Sequence, residues 1–599
     1  MFQPTFRRVI FIAGLSFASV IATAAPPPPL LGLQEVGQER VELRDGFWGP
    51  RLKTHHEVTI PHALDCLEAD GHLSNFDKAA GVFNHPLRGH HAFDSDLHKA
   101  MEGAGYTLYQ FDDSRLRWRV EDILDRILAA QQKDGFLISY WIVQNGDKRW
   151  EDLRLEHQMY NAGHFFELAV AHHGLSGQNK ALNAARRFAN HIDGIFGPDK
   201  RYDVDGHQEV ELALIKLYRA TGERRYLDLA RFFLDERGYA HGTERKPFDP
   251  KTAVMPPKPE GPQTAEQRSA NFRARLRVRN GRMQDHKPVI EQFEAVGHAV
   301  RAGYMYSAIA DIARFTNAPD YERALDHLWS DVVGRKLYLT GGVGTGQYDD
   351  EGFGDPYLLP NDSGYCESCA AIAHLLWQHR MNLLKGEAKY TDVMELTLYN
   401  AVLAGISISG DRFFYENPLA SGGSRRSSWI GLACCPSNLA RIIPEVGGLA
   451  YALGNRQIYV NLYVAGEASI KLGRDLKVKL VQQTDYPWDG RVRLTVTPEQ
   501  KSDFALCLRI PSWAQGQPIP SDLYRFGASA IPPVGLKVNG QKVDSSPAKD
   551  GYVHLERKWQ AGDVVELDLP MPLQQVYAHE RVQADKGKGN YFDNVRFPG

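Results

Sequence analysis

Hydrophobic residues recur every three or four positions from about residue 61 to about residue 453, in a series of paired segments. In the stretch 206–237, such a pattern lies on each side of a polar turn, Thr221-Gly222-Glu223, and predicts two antiparallel helices. Similar pairs occur at 97–132, 157–193, 294–333 and 366–405, and a further helix is predicted near Pro436. The series predicts an (α/α)6 toroid or an open solenoid, and helices that are apolar on several faces favour the closed ring.

The pattern changes to a period of two after residue 454. Short runs such as LKVKLVQQTD and RVRLTVTPE alternate apolar and polar residues between turns, which is typical of β-strands. We therefore predict a mainly α fold, with an (α/α)6 catalytic domain at 61–453 and an all-β sandwich at 454–599. The last residues, GKGNYFDNVRFPG, lack the closing strand that this pattern leads us to expect, which leaves open whether the β domain is complete.

The first residues predict export. Arg7 and Arg8 precede the apolar run Val9–Ile21, and Ala22-Thr23-Ala24 has the small residues of a signal-peptide cleavage site. The apolar run is shorter than the roughly 18–20 residues that span a bilayer. We interpret 1–24 as a signal peptide and 25–60 as a Pro-rich leader with N-terminal strands, and we expect a periplasmic or secreted bacterial protein.

Composition excludes some classes of function. Among 599 residues the formal net charge is −3, and no basic stripe indicates nucleic-acid binding. No later segment is apolar and long enough to indicate a membrane span. The segment 243–286 is rich in Pro, Arg and Lys and only weakly periodic, so we predict a long loop at one rim of the ring that shapes access of substrate.

Polar residues cluster where the first helix of several pairs begins. If alternate helices line a toroid, these clusters open toward the same end of its axis and form a small-ligand pocket. The alternative is that each histidine is an ordinary core or surface residue. The clusters are His157 and His164 in EHQMYNAGH, His207 and Glu211 in GHQEVE, Glu294 and His298 in EQFEAVGHAV, and Cys366, Glu367 and Cys369 in YCESCAA.

Four of the six cysteines come in two groups, CESC at 366–369 and CC at 434–435. Disulfides are common in exported proteins, but neighbouring cysteines bridge each other only through a strained ring. Thiolates with or without a carboxylate complete a tetrahedral zinc site, which is the better interpretation. Spacing alone does not separate a site of four thiols, including Cys366, from one that uses Glu367. Cys66 and Cys507 are interpreted as buried apolar residues.

An acidic loop lies upstream of the CESC group. Asp349, Asp350 and Glu351 crowd together in a glycine-rich segment, which is compatible with a solvated turn. A carboxyl group held among apolar and like-charged neighbours has a raised pKa and acts as a proton donor. The loop alone does not indicate which of the three residues would do so.

Together these motifs resemble the β-L-arabinofuranosidases of glycoside hydrolase family 127 and the related family 146. The markers are Glu351 in EGFG, Glu367 in ESC and Cys434-Cys435-Pro436, with YNAGH, GHQE, EAVGHAVR and FFYENPL around them in the same order. The resemblance covers essentially the whole mature chain. It implies an exported retaining hydrolase that releases L-arabinose from β-L-arabinofuranosides of plant glycans or glycopeptides, with a homodimer left open.

The resemblance also implies roles for individual residues. It implies Zn²⁺ bound by Glu367, Cys369, Cys434 and Cys435, with Cys434 as nucleophile and Glu351 as general acid/base. It implies sugar contacts by His157, His207, His298, Glu367, Glu395 and Tyr415, with His157 a better match than His164. Cys366 is an extra thiol that keeps a four-thiolate site open.

Two other classes of function stay open at this point. Helical toroids with axial histidines also serve sugar epimerases and polysaccharide lyases, in which zinc is structural or absent. A glycan-binding protein without catalysis is the third class, although binding alone requires no reactive thiolate. Cys434 discriminates among them, because an epimerase or a lyase would tolerate its replacement by serine.

Overall fold

The computed structural model describes residues 31–44, 46–144, 148–240, 246–247, 264, 267, 281–347, 351–527 and 530–584. The predicted signal peptide, most of the predicted loop at 243–286, Asp349, Asp350 and the C-terminal tail lie outside the described residues. Among the described residues, no helix combines the length and the apolar character needed to cross a membrane.

Helices dominate the chain up to residue 449. Their bounds are α1 Trp48–Thr54, α2 Ile60–Asp70, α3 His72–Ala79, α4 Asp94–Gln110, α5 Ser114–Ala129, α6 Ser139–Gln144, α7 Gln158–Ser176, α8 Lys180–Ile195, α9 Val210–Thr221, α10 Arg224–Glu236, α11 Ala299–Thr316, α12 Pro319–Arg335, α13 Ser368–Lys385, α14 Ala388–Leu396, α15 Cys434–Ile442, α16 Val446–Leu449 and α17 Glu580–Ala584.

Six helices form a closed inner ring. In the order α4, α7, α9, α11, α13 and α15, each contacts the next, and α15 returns to contact α4. The inner helix α13 is buried on every side up to Leu384, whereas the outer helix α8 buries one face. The predicted fold class is confirmed, and the helices form a ring rather than an open solenoid.

Six helices form an outer layer around the ring. Five of them each pack on the inner helix that precedes them in the chain: α5, α8, α10, α12 and α14. The sixth, α2, packs between α4 and α15 and so covers the last inner helix. A π-helical segment, His55–Thr59, joins α1 to α2, so helical structure begins before the predicted boundary at 61. The predicted turn of the 206–237 pair is confirmed, because α9 ends at Thr221 and Gly222 adopts a left-handed φ of 73°.

The strands form two main sheets after residue 450. One has the order β1-β5-β6-β10-β14 and the other β13-β12-β15-β9-β8-β7-β2. Their bounds are β1 Gln34–Glu35, β2 Val41–Leu43, β3 Tyr239–Ala240, β4 Lys246–Pro247, β5 Tyr451–Gly454, β6 Gln457–Val460, β7 Gly466–Leu472, β8 Leu476–Thr484, β9 Arg491–Pro498, β10 Ser502–Arg509, β11 Tyr524–Phe526, β12 Gly535–Val538, β13 Gln541–Lys542, β14 Tyr552–Trp559, β15 Asp563–Asp568 and β16 Val576–Ala578.

The N-terminal segment ties the ring to the β domain. Strand β1 pairs with β5 and β2 pairs with β7, so residues that precede the ring complete an edge of each sheet. Buried charges strengthen the same interface. Arg509 of β10 lies 2.6 Å from Asp392 of α14 and also pairs with Glu395.

Candidate active site

The amino ends of the inner helices meet around a cavity of ≈ 440 Å³. Its wall combines thiol, carboxylate, imidazole and guanidinium groups with a few apolar side chains. Seven of the residues predicted from the sequence border it: Glu351, Glu367, Cys434, His157, His207, His298 and Tyr415.

A group of metal-ligand type lies at one side of the cavity. The ligand atoms of Glu367, Cys369, Cys434 and Cys435 all lie within 4.8 Å of one another. The Sγ atoms of Cys369 and Cys434 are 3.2 Å apart, and Sγ of Cys435 lies 3.4 Å from Oε1 of Glu367. Cys434 alone of the three thiols borders the cavity, whereas Cys369 and Cys435 lie behind it in the core.

Two helix starts bring this group together. Glu367 is the N-cap of α13 and Cys369 its second residue, while Cys434 is the first residue of α15. The partial positive charge at a helix amino end stabilises thiolates. The Cys369 and Cys435 thiols hold the pKa of Cys434 well below its usual range, and Lys99 adds to this against the opposing effect of burial.

The four side chains fit a metal ion. Oε2 of Glu367 is buried without a hydrogen-bond partner, so one member of the group keeps an unsatisfied acceptor. Cysteine thiolates and a glutamate oxygen are both ligand types that zinc takes, and four such ligands suit its tetrahedral geometry. The group therefore has both the chemistry and the unsatisfied acceptor that a bound cation would complete.

Cys366 does not belong to the group. It adopts a left-handed φ of 45°, and its thiol lies beside Tyr338 rather than among the ligand atoms. The four-thiolate site that included Cys366 is therefore wrong. All six cysteines are free thiols, Cys507 is buried as predicted, and Cys66 is only half-buried.

Glu351 faces the thiol group from the acidic loop. The loop is fixed to the start of α11, because the amide of Ala299 donates a hydrogen bond to the Glu351 carbonyl at 2.9 Å. Oε2 of Glu351 lies 2.6 Å from Nη2 of Arg282 and 2.9 Å from Nε2 of His298. Of the three acidic residues, Glu351 is the one among the described residues, and it borders the cavity.

The expected raised pKa of this carboxyl group is wrong. Burial raises the pKa of Glu351, but His298 and Arg282 outweigh burial and hold it well below its usual range. The like-charged neighbours in the loop suggested a raised pKa. The groups that determine the pKa of Glu351 are instead His298, a hydrogen-bond donor, and Arg282, a cation, which come from distant segments.

Backbone contacts fix the tautomers of the histidines. Nδ1 of His157 lies 2.9 Å from the Leu155 carbonyl, and Nδ1 of His207 lies 3.0 Å from the Gln208 carbonyl. A carbonyl only accepts, so Nδ1 carries the proton and Nε2 is an acceptor in both rings. Nδ1 of His298 accepts from the Val300 amide at 3.2 Å, so its Nε2–H donates to Glu351.

These imidazoles are neutral groups. Burial lowers the pKa of His157 and of His207 well below the usual range, and burial lowers the pKa of His298 to about 4. His164 lies deeper, where its Nδ1 is 3.3 Å from Oε1 of Glu209, and it does not border the cavity. The structure thus places His157, and not His164, at the site.

Glu395 requires a correction. The sequence resemblance implied a contact with the sugar, but Glu395 does not border the cavity. It pairs with Arg509 and accepts a hydrogen bond from the Tyr486 hydroxyl at 2.7 Å, at the interface with the β domain. Both carboxylate oxygens are used there, so Glu395 stabilises the domain interface.

The sequence analysis missed three charged residues of the site. Arg282 comes from the end of the segment predicted as a rim loop, and Arg301 is the last residue of the motif EAVGHAVR. Lys99 is fully buried on α4, where its Nζ lies 2.9 Å from Asp96 and 3.4 Å from the Cys434 carbonyl. Only the EAVGHAVR motif offered a signal in the sequence, and there the prediction named Glu294 and His298 but not Arg301.

Comparisons with known proteins agree with this geometry. Residues 40–448 match the family model described as beta-L-arabinofuranosidase, GH127 catalytic domain, and residues 457–571 match the GH127 middle domain. The chain is 32% identical over 541 residues to a non-reducing end beta-L-arabinofuranosidase of Bifidobacterium longum subsp. longum, covering 86% of this chain and 76% of that protein.

Two solved structures share the whole architecture. A GH127 beta-arabinofuranosidase superimposes with a TM-score of 0.82 at 40% identity, over 93% of this chain and 83% of that chain. A GH127 beta-L-arabinofuranosidase from Geobacillus stearothermophilus T6 gives a TM-score of 0.79 at 35% identity, over 91% and 84% of the two chains.

The (α/α)6 ring, the cavity at its helix amino ends and these matches define the class of protein as a glycoside hydrolase. The chain belongs to glycoside hydrolase family 127, through both the catalytic and the middle domain of that family.

We predict that the purified protein binds one divalent metal ion per chain and that Cys369→Ser loses it, because a serine hydroxyl does not replace a thiolate ligand. Cys366→Ser is the matched control, since it alters a neighbouring thiol outside the group. Elemental mass spectrometry gives the metal content, and circular dichroism verifies the fold. Loss of metal in Cys366→Ser, or its retention in Cys369→Ser, contradicts the assignment.

Proposed function

We propose that this protein is a retaining β-L-arabinofuranosidase that releases L-arabinose from the non-reducing ends of plant glycans or glycopeptides. The observation that carries the proposal is the placement of the Cys434 thiol and the Glu351 carboxylate on one cavity. Family membership and relatives described as β-L-arabinofuranosidases support the sugar and the linkage.

Cys434 is proposed as the nucleophile. Retaining glycosidases usually place two carboxyl groups about 5 Å apart, one of which attacks the anomeric carbon. Here the group that borders the cavity opposite Glu351 is a thiol at a helix amino end, with its pKa held low by its neighbours. Its sulfur would form a bond to the anomeric carbon as the bond to the leaving oxygen breaks.

Glu351 is proposed as the general acid/base. In the first step it would give a proton to the departing glycosidic oxygen, and in the second it would take a proton from the water that breaks the thioglycosyl bond. Nε2–H of His298 and the guanidinium of Arg282 hold the carboxylate in position.

The cavity offers a specific pattern of sugar contacts. We propose that Nε2 of His157 and of His207 accept hydrogen bonds from sugar hydroxyl groups, since their Nδ1 protons are used by the backbone. The Tyr415 hydroxyl and the Glu367 carboxylate border the same space and complete the contacts.

Zn²⁺ is the proposed metal, held by Glu367, Cys369, Cys434 and Cys435. When bound, it would keep the thiols deprotonated and protect them from oxidation in an oxidising compartment. The buried positions of Cys369 and Cys435 suit ligands that stay in place, whereas Cys434 is accessible to a substrate.

We predict that Cys434→Ser lowers kcat on p-nitrophenyl β-L-arabinofuranoside by at least about 10³-fold, because a serine hydroxyl is not ionised at neutral pH. Glu351→Gln should lower kcat on the same substrate while a thioglycosyl intermediate accumulates, since p-nitrophenol leaves without a proton but hydrolysis needs the base. Intact mass spectrometry of the quenched Glu351→Gln reaction detects an added pentosyl group.

Metal content and circular dichroism provide the control for both variants. Turnover that survives in folded Cys434→Ser contradicts the proposal and makes the metal structural, as in an epimerase or lyase. Absence of turnover by the wild-type protein on every β-L-arabinofuranoside contradicts the proposed substrate.

The pH dependence of activity tests the role of Glu351 as the general acid. Removing the Arg282 cation in Arg282→Met raises the pKa of Glu351, because a nearby positive charge favours the carboxylate. The general acid must be protonated in the enzyme–substrate complex, so kcat falls as pH rises through the pKa of Glu351 in that complex. We predict that this fall occurs about one pH unit higher in the variant. Methyl β-L-arabinofuranoside is the suitable substrate, because methanol leaves only with a proton.

Arg282→Lys is the matched control for this profile, because lysine keeps the positive charge. It should retain the wild-type position of the basic limb. A basic limb that stays in place or moves to lower pH in Arg282→Met would show that another group supplies the proton.

We further propose that the protein is exported. The support is the signal-peptide pattern of 1–24 in the sequence, with cleavage after Ala24. Expression of the full chain in a bacterial host should yield periplasmic or extracellular protein whose intact mass begins at Ala25. Retention of the uncleaved chain in the cytoplasm contradicts this proposal.

A further inference from the structure

Arg301 stands apart from the other buried arginines of the protein. Arg237, Arg282, Arg314, Arg380, Arg441 and Arg509 are buried, and each pairs with a carboxylate. Arg301 is only 4% exposed, yet no carboxylate of the described residues lies within 4.0 Å of its guanidinium. An unpaired buried charge is costly, so a group absent from the free protein is expected to complete it.

The free part of this guanidinium belongs to the active-site cavity. Nη1 donates a hydrogen bond to the Gly206 carbonyl at 2.8 Å, and Nε is buried without a partner. Arg301 borders the cavity together with Glu351, Glu367 and Cys434. A guanidinium carries five N–H donors, so most of its donor capacity is unused within the described structure.

The bond to Gly206 also determines the neighbour of Arg301. His207 follows Gly206 directly, and both side chains border the cavity. The charge of Arg301 is close enough to add to the effect of burial in lowering the pKa of His207. Nε2 of His207 is an acceptor, because its Nδ1 proton is used by the Gln208 carbonyl. A strong donor thus lies next to an acceptor, which is the pairing that one hydroxyl group requires.

We propose that Arg301 is a substrate-binding residue that donates a hydrogen bond to a hydroxyl oxygen of the bound furanose, the same hydroxyl whose proton His207 accepts. This inference rests on the proposed function and names a residue that determines recognition of the sugar. The partner is an uncharged hydroxyl, because Cys434, Glu351 and Glu367 already make the surrounding wall rich in acidic groups.

The test combines one variant with four substrates. Arg301→Gln is compared with wild type on p-nitrophenyl β-L-arabinofuranoside and on its 2-deoxy, 3-deoxy and 5-deoxy analogues. A site built to bind a hydroxyl rejects the analogue that lacks it, because its polar groups are left unpaired. We expect Arg301→Gln to lower kcat/KM on the parent by about 10- to 100-fold, the range for a hydrogen bond to a charged group.

The deciding result is that the effects of Arg301→Gln and of one missing hydroxyl group on kcat/KM are not additive. For each analogue, the deoxy penalty is the factor by which kcat/KM falls when the hydroxyl group is missing. The penalty for the hydroxyl group that Arg301 binds should be at least about tenfold smaller in Arg301→Gln, while the other two penalties remain unchanged. If Arg301 only supports the backbone at Gly206, all substrates lose activity equally and the three penalties stay as in wild type. That outcome, or full activity of Arg301→Gln, overturns the inference.

Two controls separate this test from folding and from the proposed function. Metal content and thermal unfolding verify Arg301→Gln, and Arg301→Lys serves in the same comparison if the glutamine variant does not fold. Lysine keeps the charge but loses the planar set of donors, so the same single penalty should shrink. A wild-type protein that is inactive on the parent compound contradicts the proposed function and not the role of Arg301.

Discussion

Closure of the inner ring between α4 and α15 is the contact on which the active site depends. The chain enters α4 early and reaches α15 only after four further helix pairs, yet the two helices must touch. They approach so closely at Gly103 that an added Cβ would collide with the Ala440 carbonyl oxygen, so only glycine fits there. This contact places Cys434, the first residue of α15, beside Asp96 and Lys99 of α4. The proposed nucleophile is thus positioned by helix packing, at the first residue of a helix.

The orientation of the ring also determines the electrostatics of the site. Since the inner helices begin at the same end, their amino ends supply partial positive charge where the thiols and carboxylates gather. Lys99 is buried beside the Cys434 carbonyl and paired with Asp96, and it adds a full charge to that effect. Burial alone would keep these acidic groups protonated. Lys99 helps to lower the pKa of Cys434, and Arg282 helps to lower that of Glu351. Burial raises the pKa of Glu367, Cys369 and Cys435, and the proposed metal ion would offset this effect.

Hydrophobic periodicity predicted the ring and the sandwich. Motifs predicted most of the cavity, because they lie where the inner helices begin and these helix starts meet at one end of the axis. They failed where a long-range partner decides the role of a side chain. Glu395 lies on a short outer helix, and only the packing of β10 against this helix shows that Glu395 forms an ion pair with Arg509. Cys366 directly precedes Glu367 in the sequence, but its backbone is left-handed and its thiol lies beside Tyr338, outside the group of candidate metal ligands. Arg282 emerges from a segment without periodicity, so no pattern connects it with Glu351.

In the proposed mechanism, the ionised state of Glu351 favours the second chemical step over the first. A carboxylate held by Arg282 and His298 is ready to take a proton from water, so hydrolysis of the thioglycosyl bond starts from the correct charge state. The first step requires the opposite state, in which Glu351 carries a proton for the leaving oxygen. Substrate that fills the cavity removes water from the carboxylate, and this desolvation favours its neutral form. The Arg282 cation and the neutral hydrogen-bond donor His298 that favour the second step therefore oppose the first, and binding of the sugar must supply the difference.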